Sequence, residues 1–475
     1  MTSGSRASYP DARTAGSGVP RPGVQRRVVE AGVGTTAPPR RGGQKRVSPP
    51  PSPPMRKYVE WIFRPRYAVL AGLLLTYIWR FHDLTGVVRS LRIAAICTVL
   101  SWAFLLVQPR LSVLSRAVRL PYVALFLAFS VWGGFSVPFA LDSELAWSGW
   151  FEAHFKTVTF FLFVISCLSS FAYVRLAILV QVLGGAVLAF FYIKSGFPQF
   201  YTPVPMYDRN DFALVMNVAL PMGLFWAFSA PSATARKLLW GIVLAFGACI
   251  MMGQSRGGFV TVAVTTLFTV SSVKGVKLRY RILPPILIGV SLFFLPAEVQ
   301  DRLSTLLNPT EDYNYNDSGG RVEIWKRGLG YLNDHKVLGV GWNNFPVAEG
   351  TLSETAQTFG YAQNKAVHNS FLQVAVETGI PGFLLWVSMI LVTMRRLLRL
   401  RRRLRKRYHP DSVRDFVLCA DFLLVSLIGF CIGAQFLTMA YFPILFGQVA
   451  LAAGLELSVA DWKRKQRAPR RAAIG

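Results

Sequence analysis

Residues 367–376 read VHNSFLQVAV and set His368, one of five histidines, beside Asn369 at the start of an amphipathic run. An imidazole with a pKa near 6.5 can act as a neutral base at working pH. The plain alternative is an interfacial histidine facing water. Two arginines stand next to glycines: Arg256 in GQSRGGFVT, and Arg321 in GGRVEIWKRGLGYLNDHKVLG. Gly257 and Gly258 would let a ligand approach the backbone closely. Arg321 opens a predicted helix, where a positive charge opposes the macrodipole unless an anion compensates it. Free N–H groups, glycines and a guanidinium would then all face one phosphate. The plain alternatives are a snorkelling Arg256 and a solvated Arg321. Arg209, in MYDRNDFALVMNVALP, and Asn369 complete the candidate substrate-binding set.

The elements that must hold these residues are membrane helices. The chain has 475 residues, 52% hydrophobic and 16% charged, with a mean hydropathy of +0.38. Soluble domains carry roughly a quarter charged residues. A net charge of +28 could suggest nucleic acid. The cations, however, cluster in the N-terminal tail, in short links and at the C-terminus, which is the positive-inside pattern. Anionic inner-leaflet lipid is the expected partner, and nucleic acid is not. The five cysteines, Cys97, Cys167, Cys249, Cys419 and Cys431, all fall within apolar runs. They read as small hydrophobes. No histidines or acidic residues show metal-ligand spacing, so no metal or other cofactor is expected.

Twelve spans are predicted, each needing about 20 apolar residues, fewer where the ends snorkel. They fall near 65–80, 91–107, 120–139, 155–171, 173–193, 211–229, 236–253, 256–272, 280–296, 380–395, 416–437 and 440–459. The even-numbered links are basic, culminating in RRLLRLRRRLRKRYHPDSVR after span ten, while ALDSELAWSGWFEAH after span three is acidic. The link after span one, with Arg80, Arg89 and Arg92, is the exception. Both termini and the even links are therefore expected in the cytoplasm.

The expected organisation is a disordered Pro/Arg-rich cytoplasmic arm (1–58), spans one to nine (59–296) and a periplasmic or extracellular loop (297–369). An interfacial helix with spans ten to twelve (370–460) and a basic cytoplasmic tail (461–475) follow. The fold class is an all-α polytopic membrane protein built around one long helical outer loop. Gly379 and Pro381 should punctuate the interfacial helix before span ten. A helix from Arg321 should close in a turn near Gly339.

The segments DRNDFALVMNVALPMG, GQSRGGFVT, GRVEIWKRGLGYLNDHKVLGVGWNNF and HNSFLQVAVETGIPGFLLW, in this order, resemble the O-antigen ligase and polysaccharide polymerase superfamily. The resemblance covers roughly residues 205–395. It implies a metal-independent inverting glycosyltransferase at the periplasmic face of a bacterial inner membrane. The implied donor is a glycan on polyprenyl (undecaprenyl) diphosphate, and the implied acceptor is lipid A–core or another surface carrier. The family's motif arginines match Arg256 and Arg321, and its histidine matches His368. The basic N-terminal arm has no counterpart in the family pattern.

Two other readings stand beside the ligase. A polymerase of the same superfamily shares the chemistry and differs in acceptor. A transporter or lipid flippase would also suit twelve spans, but such proteins are often built from repeats with polar groups near the midplane. No repeat relates the two halves, and the long loop is asymmetric. Asp421, near the inner end of span eleven, is one of few midspan ionisable residues.

Overall fold

The computed structural model describes residues 44–50, 52–84, 86–196, 207–273, 320–354 and 365–472, with isolated positions between 277 and 289. Most of expected span nine, the first part of the outer loop and residues 1–43 lie outside the described residues.

The described chain is helical throughout, and its one β-bridge joins Lys45 to Tyr408. The first helices are α1 (Met55–Ile62), α2 (Pro65–Tyr77), α3 (Gly86–Ser90), α4 (Ile93–Val107), α5 (Leu111–Val118) and α6 (Pro121–Ser136). Next come α7 (Ser143–Trp147), α8 (Phe155–Cys167), α9 (Phe171–Lys194), α10 (Arg209–Ser229), α11 (Ala233–Met252) and α12 (Arg256–Ser272). The last are α13 (Arg321–Asp334), α14 (Phe345–Leu352), α15 (Ser370–Arg407), α16 (Pro410–Gly433) and α17 (Pro443–Ala472).

Eight helical stretches among the described residues are long and apolar enough to cross a membrane, so the chain is a multi-pass membrane protein. Expected spans one, four and eight are helices of 13, 13 and 17 residues, shorter than a full crossing. Of the twelve expected spans, eight are full-length, three are shorter helices, and span nine lies outside the described residues.

α10 packs on α11 and α16, and α15 on α6 and α16, so α10 and α16 form the buried centre. Many polar groups inside this bundle find partners within it, as lipid offers no alternative. Asn217 donates to the carbonyls of Ala213 (2.9 Å) and Gly258 (3.3 Å), tying α10 to the start of α12. The charge run after span ten continues α15, and part of it is structural. Arg401 and Arg405 grip Asp421, whose side chain is fully buried, at 2.7 and 2.5 Å. Arg175, 1% exposed, bonds Tyr58 and Asp415 and lies 4.5 Å from the Trp226 ring centroid. Tyr58 belongs to α1, so the described part of the N-terminal arm packs on the body. Ordered structure begins before residue 58, where the sequence reading had placed the end of a disordered arm.

Candidate active site

The five candidate residues sit at four helix starts. Arg209, Arg256 and Arg321 are the first residues of α10, α12 and α13, and His368 and Asn369 immediately precede α15. The local sequence explains each start. Asp208 caps α10 in a capping box with Asp211, Ser255 accepts from the Gly258 amide, and Asn369 accepts from the amides of Phe371 and Leu372. Each cap satisfies N–H groups that the helix leaves unpaired. The positive ends of four helix dipoles thus share one end of the bundle with the arginines and the histidine.

Helix α13 is fixed to the histidine segment. Trp325, one turn beyond Arg321, donates from Nε1 to the Val367 carbonyl at 2.8 Å. Arg327 grips Glu349 with two bonds of 3.0 and 2.7 Å, and the Tyr331 hydroxyl donates to the same carboxylate at 3.0 Å. Ile324, Val340, Phe345, Val367 and Val376 close a small second core beneath. Arg327 is therefore structural, and Arg321 is left at the helix start beside the histidine segment.

Gly379 confirms the expected break, with φ +69° inside α15 just before Pro381. The kink releases two carbonyls and an amide, which the turn after α13 takes up. The Val340 amide donates to Val376 O (2.9 Å), Gly341 to Glu377 O (3.1 Å), and Ile380 to Lys336 O (2.8 Å). Gly339, at φ +74°, lies against the Val376 and Glu377 backbone, where a side chain has no room. Burying Glu377 under this turn gives its carboxylate two donors, the Phe345 amide and the Gln373 side chain.

His368 adopts φ +47°, a left-handed conformation uncommon outside glycine. Its amide donates to the Thr438 hydroxyl at 3.0 Å. Ser370 accepts from the Met439 amide and donates to Leu437 O, and Asn369 donates to Gln435 at 3.4 Å. The turn between α16 and α17 thus holds the histidine segment from below. Burial, and then the charge of Arg321, push the His368 imidazole below its usual 6.5, while Asp208 pulls the other way. His368 therefore lies within electrostatic reach of both the α13 and α10 starts.

Arg256 approaches the same turn from another side. Asn210, Ser255, Gly257, Phe436 and Leu437 line one small cleft. The glycines beside Arg256 serve close packing: Gly258 closes on Ala213 and Gly257 on the Phe436 ring.

Sequence reading missed a cavity of about 790 Å³ beside this turn. Thr438, Tyr441, Gln373 and Trp342 form one wall, Ala94, Ala95 and Thr98 of α4 another, and Arg80, Glu152 and Lys156 bring charge. Arg80 pairs with Asp83 at 2.7 Å, and Arg89 reaches the same carboxylate at 3.5 Å. These arginines are the exception to the positive-inside pattern. The misfit in the charge rule was the signal that could have found them.

Residues 240–387 match the family model described as O-Antigen ligase, a segment that contains Arg256, Arg321 and His368. The resemblance to the O-antigen ligase and polysaccharide polymerase superfamily holds across this segment. The chain is also similar to the exopolysaccharide production protein ExoQ of Rhizobium meliloti (strain 1021), 26% identical over 182 residues. That match covers 36% of this chain and 42% of the length of ExoQ. The O-antigen ligase segment starts inside α11 and ends in α15, so it takes in α12, the loop helices and the kink at Gly379. Arg209 lies before it, and so does the Arg80 wall of the cavity.

Proposed function

We propose that this protein is an O-antigen ligase-like inverting glycosyltransferase of a bacterial inner membrane, with its site on the periplasmic side. It moves a glycan from polyprenyl diphosphate to an acceptor hydroxyl, on lipid A–core or another surface carrier. The observation that carries the reading is the Trp325–Val367 hydrogen bond of 2.8 Å, which holds the Arg321 helix against the His368 segment.

In the proposed step, His368 takes the acceptor proton as the acceptor oxygen attacks sugar C1. The C1–O bond to the diphosphate breaks, its electron pair leaves with the diphosphate, and configuration at C1 inverts. Arg256 and Arg321 bind the diphosphate and stabilise the charge that grows on it, each worth about 2–4 kcal/mol by analogy with oxyanion donors. Arg209 and Asn369 assist in substrate binding. The guanidiniums supply the positive charge, so the reaction is metal-independent. A depressed imidazole pKa supports the base role, because it favours the neutral, proton-accepting form of His368. The cavity beside Thr438, whose hydroxyl accepts from the His368 amide, is the proposed approach of the acceptor.

The test is transfer by purified protein in vesicles, given a polyprenyl diphosphate-linked glycan and a candidate acceptor. Movement of the donor across the bilayer without transfer would replace the reading with a flippase. A polymerase is the second reading, favoured by the exopolysaccharide role in the name of ExoQ. A ladder of lengthening products, against single attachment to a carrier, separates the two.

A further inference from the structure

At the opposite end of the bundle from His368, α15 and α17 run side by side and enclose a pocket of about 150 Å³. Its lining is strongly basic: Arg396, Arg399 and Arg403 from α15, and Lys463 from α17, with Glu456, Leu400, Val459 and Ala460. The spacing puts the three arginines on one face of α15, a turn apart. Glu456 is already engaged, since Arg396 bonds it and the Tyr122 hydroxyl donates to it at 3.3 Å. No carboxylate among the described residues pairs with Arg399 or Arg403, and both are exposed. The neighbouring arginines 401 and 405 are by contrast spent on Asp421.

Depth identifies the occupant. The apolar run of α15 ends at Met394, so Arg396 stands where hydrocarbon gives way to headgroups and Arg399 and Arg403 lie just beyond. Like charges held this close repel unless a counter-ion sits among them. We propose that the pocket binds the phosphate headgroup of an anionic phospholipid, with the acyl chains lying against the apolar shafts of α15 and α17. Arg399 and Arg403 grip the phosphodiester oxygens, Lys463 adds charge, and Arg396, held by Glu456, sets the pocket's floor. The site needs only membrane insertion and does not depend on the transferase reading.

The test is native mass spectrometry of the full-length protein in detergent, titrated with phosphatidylglycerol or phosphatidylcholine. Wild type should retain phosphatidylglycerol in preference. Arg399→Gln/Arg403→Gln should weaken that retention at least about tenfold. Ala460→Glu, which adds a carboxylate to the pocket wall, should do the same by a different change. A charge-matched control on exposed residues of α11, Arg236→Gln/Lys237→Gln, should keep it. Equal loss in the control would reduce the effect to diffuse surface charge, and no preference in wild type would remove the site. Displacement of the lipid by excess inorganic phosphate would make it a small-anion site and overturn the lipid assignment.

Discussion

The amide of His368 and the hydroxyl of Thr438 meet at 3.0 Å across 70 residues of sequence. This bond holds a left-handed histidine, φ +47°, on the turn between α16 and α17. Left-handed backbone costs about 1–2 kcal/mol for a side-chain-bearing residue, and one neutral hydrogen bond returns roughly 0.5–1.5. Thr438→Val should therefore lower kcat about three- to tenfold while donor binding persists. Thr438→Ser should restore the rate. Equal rates in valine and wild type would show that the turn alone fixes the histidine.

His368→Ala should leave donor binding largely intact and depress turnover at least about 10². His368→Gln, which cannot take a proton, should be nearly as slow. A near-normal glutamine variant would return His368 to an interfacial role.

The pH profile tests the pairing with Arg321. A base must be neutral to accept a proton, so the rate should fall as pH drops through the His368 pKa. Burial and Arg321 lower that pKa, placing the acid limb below 6.5. Arg321→Gln removes one of the two lowering influences, so in whatever activity remains the limb should move toward higher pH. An unmoved limb would mean that another group governs it.

Arg256→Ala and Arg321→Ala should abolish or nearly abolish transfer in protein that still inserts. Lysine at either position should recover little, because an ammonium cannot reproduce a bidentate fork. Chelator should leave wild-type transfer unchanged. Full activity in Arg321→Ala would make that residue a solvated loop charge.

Gly379→Ala should destabilise the loop and lower the thermal midpoint, since φ +69° strains any side chain and the added atom would meet the Val337 carbonyl. Limited proteolysis between α13 and α14 should accelerate in parallel. An unchanged cleavage rate would show that the turn holds without the kink.

The sequence displays the helix starts and hides what they are packed against. Asp208, Ser255 and Asn369 announce α10, α12 and α15 because a cap is a local device, readable within four residues. The break at Gly379 and Pro381 is local in the same way. Thr438, Gln435 and the Arg80 wall are tertiary: nothing within several residues of Thr438 points to His368. The glycines of SRGG are ambiguous in sequence because glycine serves a ligand and a helix crossing alike, and the packing on the Phe436 ring and Ala213 is visible only in three dimensions. The basic run after span ten likewise looks like solvated charge until Asp421 is found beneath it.

The three backbone bonds at the Gly379 kink bear on how such proteins could be recombined. Residues 336–341 and 376–380 are two edges of one seam, and the donors on one edge match the carbonyls on the other. Exchanging the outer loop alone between relatives would leave half the seam foreign, with amides facing the wrong carbonyls. A chimera that exchanges this loop should carry both edges together, from Arg321 through Pro381, as a single cassette.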